Sequence, residues 1–412
     1  MRIIDKVKKY AKEGRLLEKA AKRAAYEWKY ATAFVSRYYW AFTNPVEEGK
    51  IFFVTFQGNY TCNPKYICEW LIHQGYTGKL VWVTDDRTDE AVKAFPKEVK
   101  VVRRNSREYK RELYSSQIWI DNAFNITRVP IVKKKKQIYI ETMHGAMGIK
   151  KIGPEDIKNG KRNKRGFRCG KYTDYIISNS VFEEEVYKNS FWKDSQILPY
   201  GHPRNDMLVK VSSAKQDEIV RKVKEELHLS QDCKIALYAP TFRNYEWTGQ
   251  KLDLQELRKN LEQLWGGKWS IVVRQHPSEM RDNICLGEGV VNGNSYKDIQ
   301  ELMLAVDVGI TDYSSWIYDY VLLRRPGFIY APDEDLYDVE RGFYYPLEET
   351  PFGIAHDSQK MIELVRNFDM EQYQNKVEKF LKDRGCYEQG DACSKVESIV
   401  MDALKERNER RC

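Results

Sequence analysis

The sequence has no apolar run approaching the roughly 18 residues that a helix needs to cross a bilayer, and its first 25 residues lack the apolar core of an export signal. A cytoplasmic location is the expectation. The eight cysteines (62, 68, 169, 233, 285, 386, 393 and 412) form no CxxC pair, and the nearest two are separated by five residues, which fits neither a zinc site nor a disulfide framework. They read as reduced thiols. No carboxylate cluster points to an obligatory metal, and no cofactor is expected. Disorder is excluded as well, because 27 Tyr and 10 Trp supply ample core material beside 31% charged residues. A length of 412 residues suits two α/β domains plus an extra segment, since domains mostly run to about 100–200 residues. Two domains imply a cleft.

The net charge of +8 is unevenly placed: residues 1–45 hold eleven Lys or Arg against four acids, a balance of +7, so the rest of the chain nets only +1. In this arm Ile3, Val7, Tyr10, Leu17, Ala21, Ala24, Trp28, Ala31, Val35, Tyr38 and Phe42 recur at helical spacing, interrupted at Gly14 and ended by Pro45. An amphipathic helix or helical hairpin follows. It either packs on its own domain or lies on an anionic membrane surface, where Tyr26, Trp28, Tyr30, Tyr39 and Trp40 suit the headgroup layer. Two further basic clusters, Lys133 to Lys136 and the lysines and arginines between 158 and 168, read first as solvated loops.

From residue 46 the pattern becomes short β-rich runs alternating with helical stretches. Runs at 51–56, 79–85, 99–104, 116–121, 137–142, 173–180 and 196–201 predict a first parallel sheet covered on both faces. After a charged helix at 214–229, runs at 234–242, 269–277, 308–315 and 326–332 predict a second doubly wound domain. The boundaries read from these shifts are an arm at 1–45, domains at 46–205 and 206–385, and a C-terminal helix at 386–412. Ligands of such sheets bind beyond the carboxyl ends of the strands.

Three of the six histidines, His144, His202 and His276, stand just past a predicted strand. His144 is followed by Gly145 and a loop containing Gly148, which allow close approach to a ligand, and an imidazole there can take a proton from a hydroxyl. His276 follows Arg274 and precedes Pro277, a cationic pair suited to phosphate. In TDYSSWIYDY, Asp312 precedes Ser314 and Ser315, either of which can cap a helix whose start favours an anion. Arg243 after PTF reads as a phosphate fork or a surface salt bridge. Arg341 before Gly342 sits in a predicted loop, placed for a phosphate or a base.

The ordered set MHGAMGIKKIG, GHPRNDML, YAPTFR, RQHP, TDYSSWIYDY and RGFYYP resembles the CDP-glycerol glycerophosphotransferases of teichoic acid and capsule synthesis over roughly residues 50–400. The resemblance implies a GT-B-like pair of Rossmann domains, with the CDP-polyol held mainly by the C-terminal one. It implies transfer of a phosphopolyol, glycerol phosphate or ribitol phosphate, from CDP-glycerol or CDP-ribitol to a polyprenyl-diphosphate-linked acceptor at the inner face of the cell membrane, with release of CMP. His144 would then be the base, and His276, Arg243, Ser314 and Ser315 would hold the donor phosphates. Gly145 and Arg274 would also border the substrate, Asp312 would support the turn, and Arg341 would lie close by. Met143 before the His-Gly pair, the lengthened loop after it and His202 depart from the family pattern. A GT-B glycosyltransferase using a nucleotide sugar is the alternative. A non-catalytic membrane or nucleic-acid binder fits least, because the chain beyond the arm is nearly neutral, and no nucleic-acid partner is expected.

Overall fold

The computed structural model describes residues 35–86, 88, 92–93, 95–155, 163–241, 243, 245, 250–275 and 287–409. Two parallel sheets organise them. The first contains β1 (Glu47–Val54), β2 (Lys79–Thr84), β3 (Val99–Arg103), β4 (Ser116–Asp121), β5 (Ile138–Glu141), β6 (Tyr175–Ser178) and β7 (Gln196–Pro199), in the order β3-β2-β1-β4-β5-β6-β7. The second contains β8 (Lys234–Tyr238), β9 (Trp269–Val273), β10 (Val290–Asn292), β11 (Val308–Thr311), β12 (Gly327–Tyr330) and β13 (Gly353–Ala355), in the order β10-β9-β8-β11-β12-β13. In each sheet the strand order reverses once, between β1 and β4 and between β8 and β11. Crevices for ligands form at such switch points.

The strands are continuous apolar runs because both sheet faces are covered. In β1, Phe52 and Val54 join a cluster with Trp119 and Tyr139, while Ile51 and Phe53 join one with Trp82 and Ile118 on the other face. The edge strands β10 and β13, three residues each, were not predicted. Too short to show a period, they exist by pairing with β9 and β12.

Two segments tie the domains together. The helix Ala392–Glu409 follows the second domain in sequence but packs on the first, with Val396 and Val400 buried beside Ile51, Ile67 and Leu71. Trp70 Nε1 donates to Glu397 Oε2 at 2.7 Å across the same contact. In the opposite direction, the loop after β5 inserts Ala146, Met147 and Ile149 into the second domain's core against Trp316, Ile317, Tyr318 and Tyr345.

Residues 35–43 are helical. Ala41 is buried and Trp40 packs on the first domain's core, whereas Val35, Tyr38, Tyr39 and Phe42 are exposed. Residues 1–34 of the predicted arm lie outside the described residues. No helix among the described residues is long and apolar enough to cross a membrane. The expectation of a solvated loop fails at Lys133 and Lys134. Their ammonium groups donate to Tyr172 O and Tyr114 O, each at 2.8 Å, carbonyls in the last turns of the helices Lys164–Tyr172 and Arg107–Ser115, where a helix leaves its acceptors without intrahelical partners.

A candidate active site between the two domains

The chain leaving β5 folds across the end of β4. Thr142 anchors it, with its backbone N–H donating to Asp121 O at 2.8 Å and its hydroxyl to the same oxygen at 3.0 Å. His144 comes next, and its Nδ1 lies 2.6 Å from Asn122 O. A carbonyl only accepts, so Nδ1 carries the hydrogen of the neutral ring and Nε2 presents its lone pair. The ring is exposed to the cleft, with the Phe56 ring stacked near it at 6.4 Å between centroids. Protein surrounds its other sides, and that desolvation holds its pKa below the usual imidazole value. Arg204 and Lys150 push the same way, and the Asn122 carbonyl opposes them. A neutral imidazole with a free Nε2 at pH 7 is a general base in form.

The loop is braced from below. Glu141 Oε1 accepts the Met143 N–H at 3.0 Å, and burial beside the Asp121 carboxylate pushes the Glu141 pKa up. Arg204, from the GHPRND stretch, is buried; it donates to the Gly145 carbonyl and forks onto Asp319 at 2.9 and 3.1 Å. His202 does not face the cleft at all. It is fully buried, with Nε2 3.1 Å from Glu183 Oε2 and its backbone N–H on Glu388.

In the second domain the switch point is a polar knot. Asp312, just past β11, accepts the Thr241 N–H at 2.8 and 2.9 Å and so binds the loop after β8 to the loop after β11. Arg243 does not hold out a free fork. All three of its nitrogens are engaged, with Asp333 at 2.7 and 2.9 Å, with Asp312, and with Thr241 O at 2.8 Å. Tyr313 and Tyr337 stack beneath the guanidinium at 5.0 and 5.2 Å. It braces the switch point, because two buried carboxylates compete with solvent for its donors. Arg274 likewise points into its own domain, donating to Gly293 O at 3.2 Å and Lys297 O at 3.3 Å. His276 lies outside the described residues.

Ser314 and Ser315 are half-buried at the start of the helix Trp316–Tyr320, and the Ser315 hydroxyl does not cap it. Ser315 lines a cavity of about 180 Å³ together with His144, Gly145, Lys150, Glu183 and Arg341. Residues of both domains therefore share one space. A Cβ on Gly145 would meet nothing within 4 Å, whereas one on Gly148 would lie 3.4 Å from Ser315 Cβ. Gly145 thus faces the open cavity, and Gly148 serves the contact between domains.

Three cavity or bracing residues were not singled out from the sequence: Lys150, Glu183 and Arg204. Burial pushes the Lys150 pKa down to about 8, with Arg341 and Arg243 adding to the shift and Asp312 opposing it. The GIKKIG string contains Lys150, but nothing local distinguishes it from Lys151. Among the described residues no group of three or more His, Cys, Asp or Glu could hold a metal ion.

The family model described as CDP-glycerol:poly(glycerophosphate) glycerophosphotransferase matches residues 36–402. The teichoic acid poly(glycerol phosphate) polymerase of Staphylococcus epidermidis is 33% identical over 88% of this chain, which spans only 52% of that relative. The polymerase of the same name from Bacillus spizizenii is 30% identical over 85% of this chain and 92% of its own length. The solved structure of the wall teichoic acid polymerase TagF superposes with a TM-score of 0.78 at 29% identity, covering 92% of this chain and 97% of that one. Arg341 does not lie in a loop as expected: it ends the helix Glu334–Arg341, whose turn is closed by Gly342 at φ +82. The match runs through both sheets and the segments that carry His144, Asp312 and Arg341, and the chain belongs to the CDP-glycerol:poly(glycerophosphate) glycerophosphotransferase family.

Proposed function

We propose that this protein transfers glycerol phosphate from CDP-glycerol to a lipid-linked acceptor in cell-wall teichoic acid synthesis, with release of CMP. The observation that carries this reading is the shared cavity: a neutral imidazole and Lys150 from the first domain's loop after β5 meet Ser315 and Arg341 of the second domain. The acceptor hydroxyl attacks the phosphorus that bears glycerol, its proton passes to His144 Nε2, and the bond from that phosphorus to the bridging oxygen of CMP breaks. Charge grows on the phosphoryl oxygens and on the leaving phosphate. Preorganised cations and helix-start amides lower the energy of that charge without reorganising.

Ser314, Ser315, Lys150 and Arg341 contact the diphosphate in this proposal, and Arg243, Arg274 and Asp312 hold the frame around them. His276, carried over by motif, completes the donor side. The cations supply the positive charge, so the proposal includes turnover in the presence of EDTA. Glycerol is preferred to ribitol because the family description names it. The exposed Val35, Tyr38, Tyr39 and Phe42 on the helix that continues the basic arm support docking on an anionic membrane, where a lipid-linked acceptor resides. The test is CMP release from CDP-glycerol with and without a synthetic lipid-linked glycerol phosphate acceptor. Acceptor-dependent release supports the reading; release of UDP from a UDP-sugar instead overturns it.

A further inference from the structure

We propose that Asn63 is a positioning residue that aims His144 at the acceptor hydroxyl. This rests on the reading of His144 as the base. Asn63 enters from the other side of the first sheet, in the helix Cys62–His73 that follows β1, and it is fully buried. Its two amide hydrogens go to Thr142 O at 3.0 Å and Met143 O at 3.1 Å. Its Oδ1 accepts the Arg204 N–H at 3.1 Å. Carbonyls only accept and a backbone N–H only donates, so the orientation of this amide is determined.

The two carbonyls belong to the residues immediately before His144. The Arg204 side chain in turn holds the carbonyl of Gly145, the residue immediately after it. Residues 142–145 are thereby gripped on both sides of the imidazole by one connected pair. The grip is needed because Met143 stands at φ +48, a left-handed conformation that a side-chain-bearing residue keeps only where its surroundings hold it. Without Asn63 the bonds from Thr142 to Asp121 and from His144 to Asn122 remain, so the strand end persists while the turn carrying the ring relaxes. A buried amide that touches neither cavity nor substrate then acts on the rate alone.

The experiment compares Asn63→Asp, which keeps shape and the Arg204 bond but loses both donors, with the uncharged Asn63→Ala. Each is made in wild-type and His144→Gln backgrounds and assayed by CMP release from CDP-glycerol with the lipid-linked acceptor. We expect kcat to fall by about 30-fold to 100-fold, as small misplacements of a reacting group do, with KM for CDP-glycerol within about twofold. In the His144→Gln background the same substitutions change the residual rate by less than about twofold, because their effect passes through the ring. Equal losses in both backgrounds, or unchanged kcat, overturn the proposal. So does failure of both variants to fold by near-UV circular dichroism, which makes Asn63 a structural residue. Normal turnover by His144→Gln alone instead removes the base assignment, whatever Asn63 does.

Discussion

At the scale of residues, the site is a set of charges whose protonation states follow from their surroundings. His144 is held below the usual imidazole pKa, mainly by desolvation. The rising limb of kcat/KM against pH should therefore lie below the ordinary imidazole value, and it should disappear in His144→Ala. Lys150 gives the opposite limb. With its pKa pushed down to about 8, the ammonium proposed to draw in phosphate is lost as pH rises through that value. CDP affinity should weaken above about pH 8, and binding there should take up a proton, because the bound anion raises the Lys150 pKa again. Calorimetry in two buffers of different ionisation enthalpy measures that uptake, and Lys150→Met should abolish it. Arg204→Ala leaves Asp319 buried without its charge partner, which should cost about 3–5 kcal/mol of stability by denaturant titration. Of these residues, only His144 was legible beforehand, by its place after a strand. Lys150 and Arg204 owe their roles to what the fold brings beside them, Arg341 and Asp319 in particular, and neither partner is near in sequence.

At the scale of elements, the loop after β5 does two tasks. It presents His144 to the cavity and buries Met147 and Ile149 in the neighbouring domain. Truncating Met147 to Ala should cost about 2–5 kcal/mol, as deletion from a packed core does, and should lower the unfolding midpoint more than removal of an exposed apolar residue such as Val339. Strands of four or more residues were visible in the sequence as apolar runs, from β1 to β12. The three-residue β10 and β13 were not, since a strand that short is defined by its partner and not by its own pattern. The loop's apolar AMGI string gave no warning that it was interdomain core, because periodicity does not say which domain covers a side chain.

At the scale of the molecule, the domains are cross-braced by buried ion pairs. Lys65 from the first pairs with Asp298 and Glu301 of the second, the latter at 3.1 Å, while Arg204 reaches Asp319. Such bracing fixes the relation of His144 to Ser315 across the shared cavity. The chain also presents its exposed Val35, Tyr38, Tyr39 and Phe42 on one helix. Deleting residues 1–42 should abolish co-sedimentation with anionic vesicles and leave CMP release to a soluble acceptor in place; unchanged vesicle binding would refute membrane docking through the arm. The reaction itself is tested most directly by one measurement: mass analysis of the acceptor after incubation with CDP-glycerol, CDP-ribitol or a UDP-sugar, for the wild-type protein and His144→Ala. The expected result is an acceptor extended by glycerol phosphate, with stoichiometric CMP, from the wild-type protein only. An acceptor extended by a sugar, or full extension by His144→Ala, would contradict it.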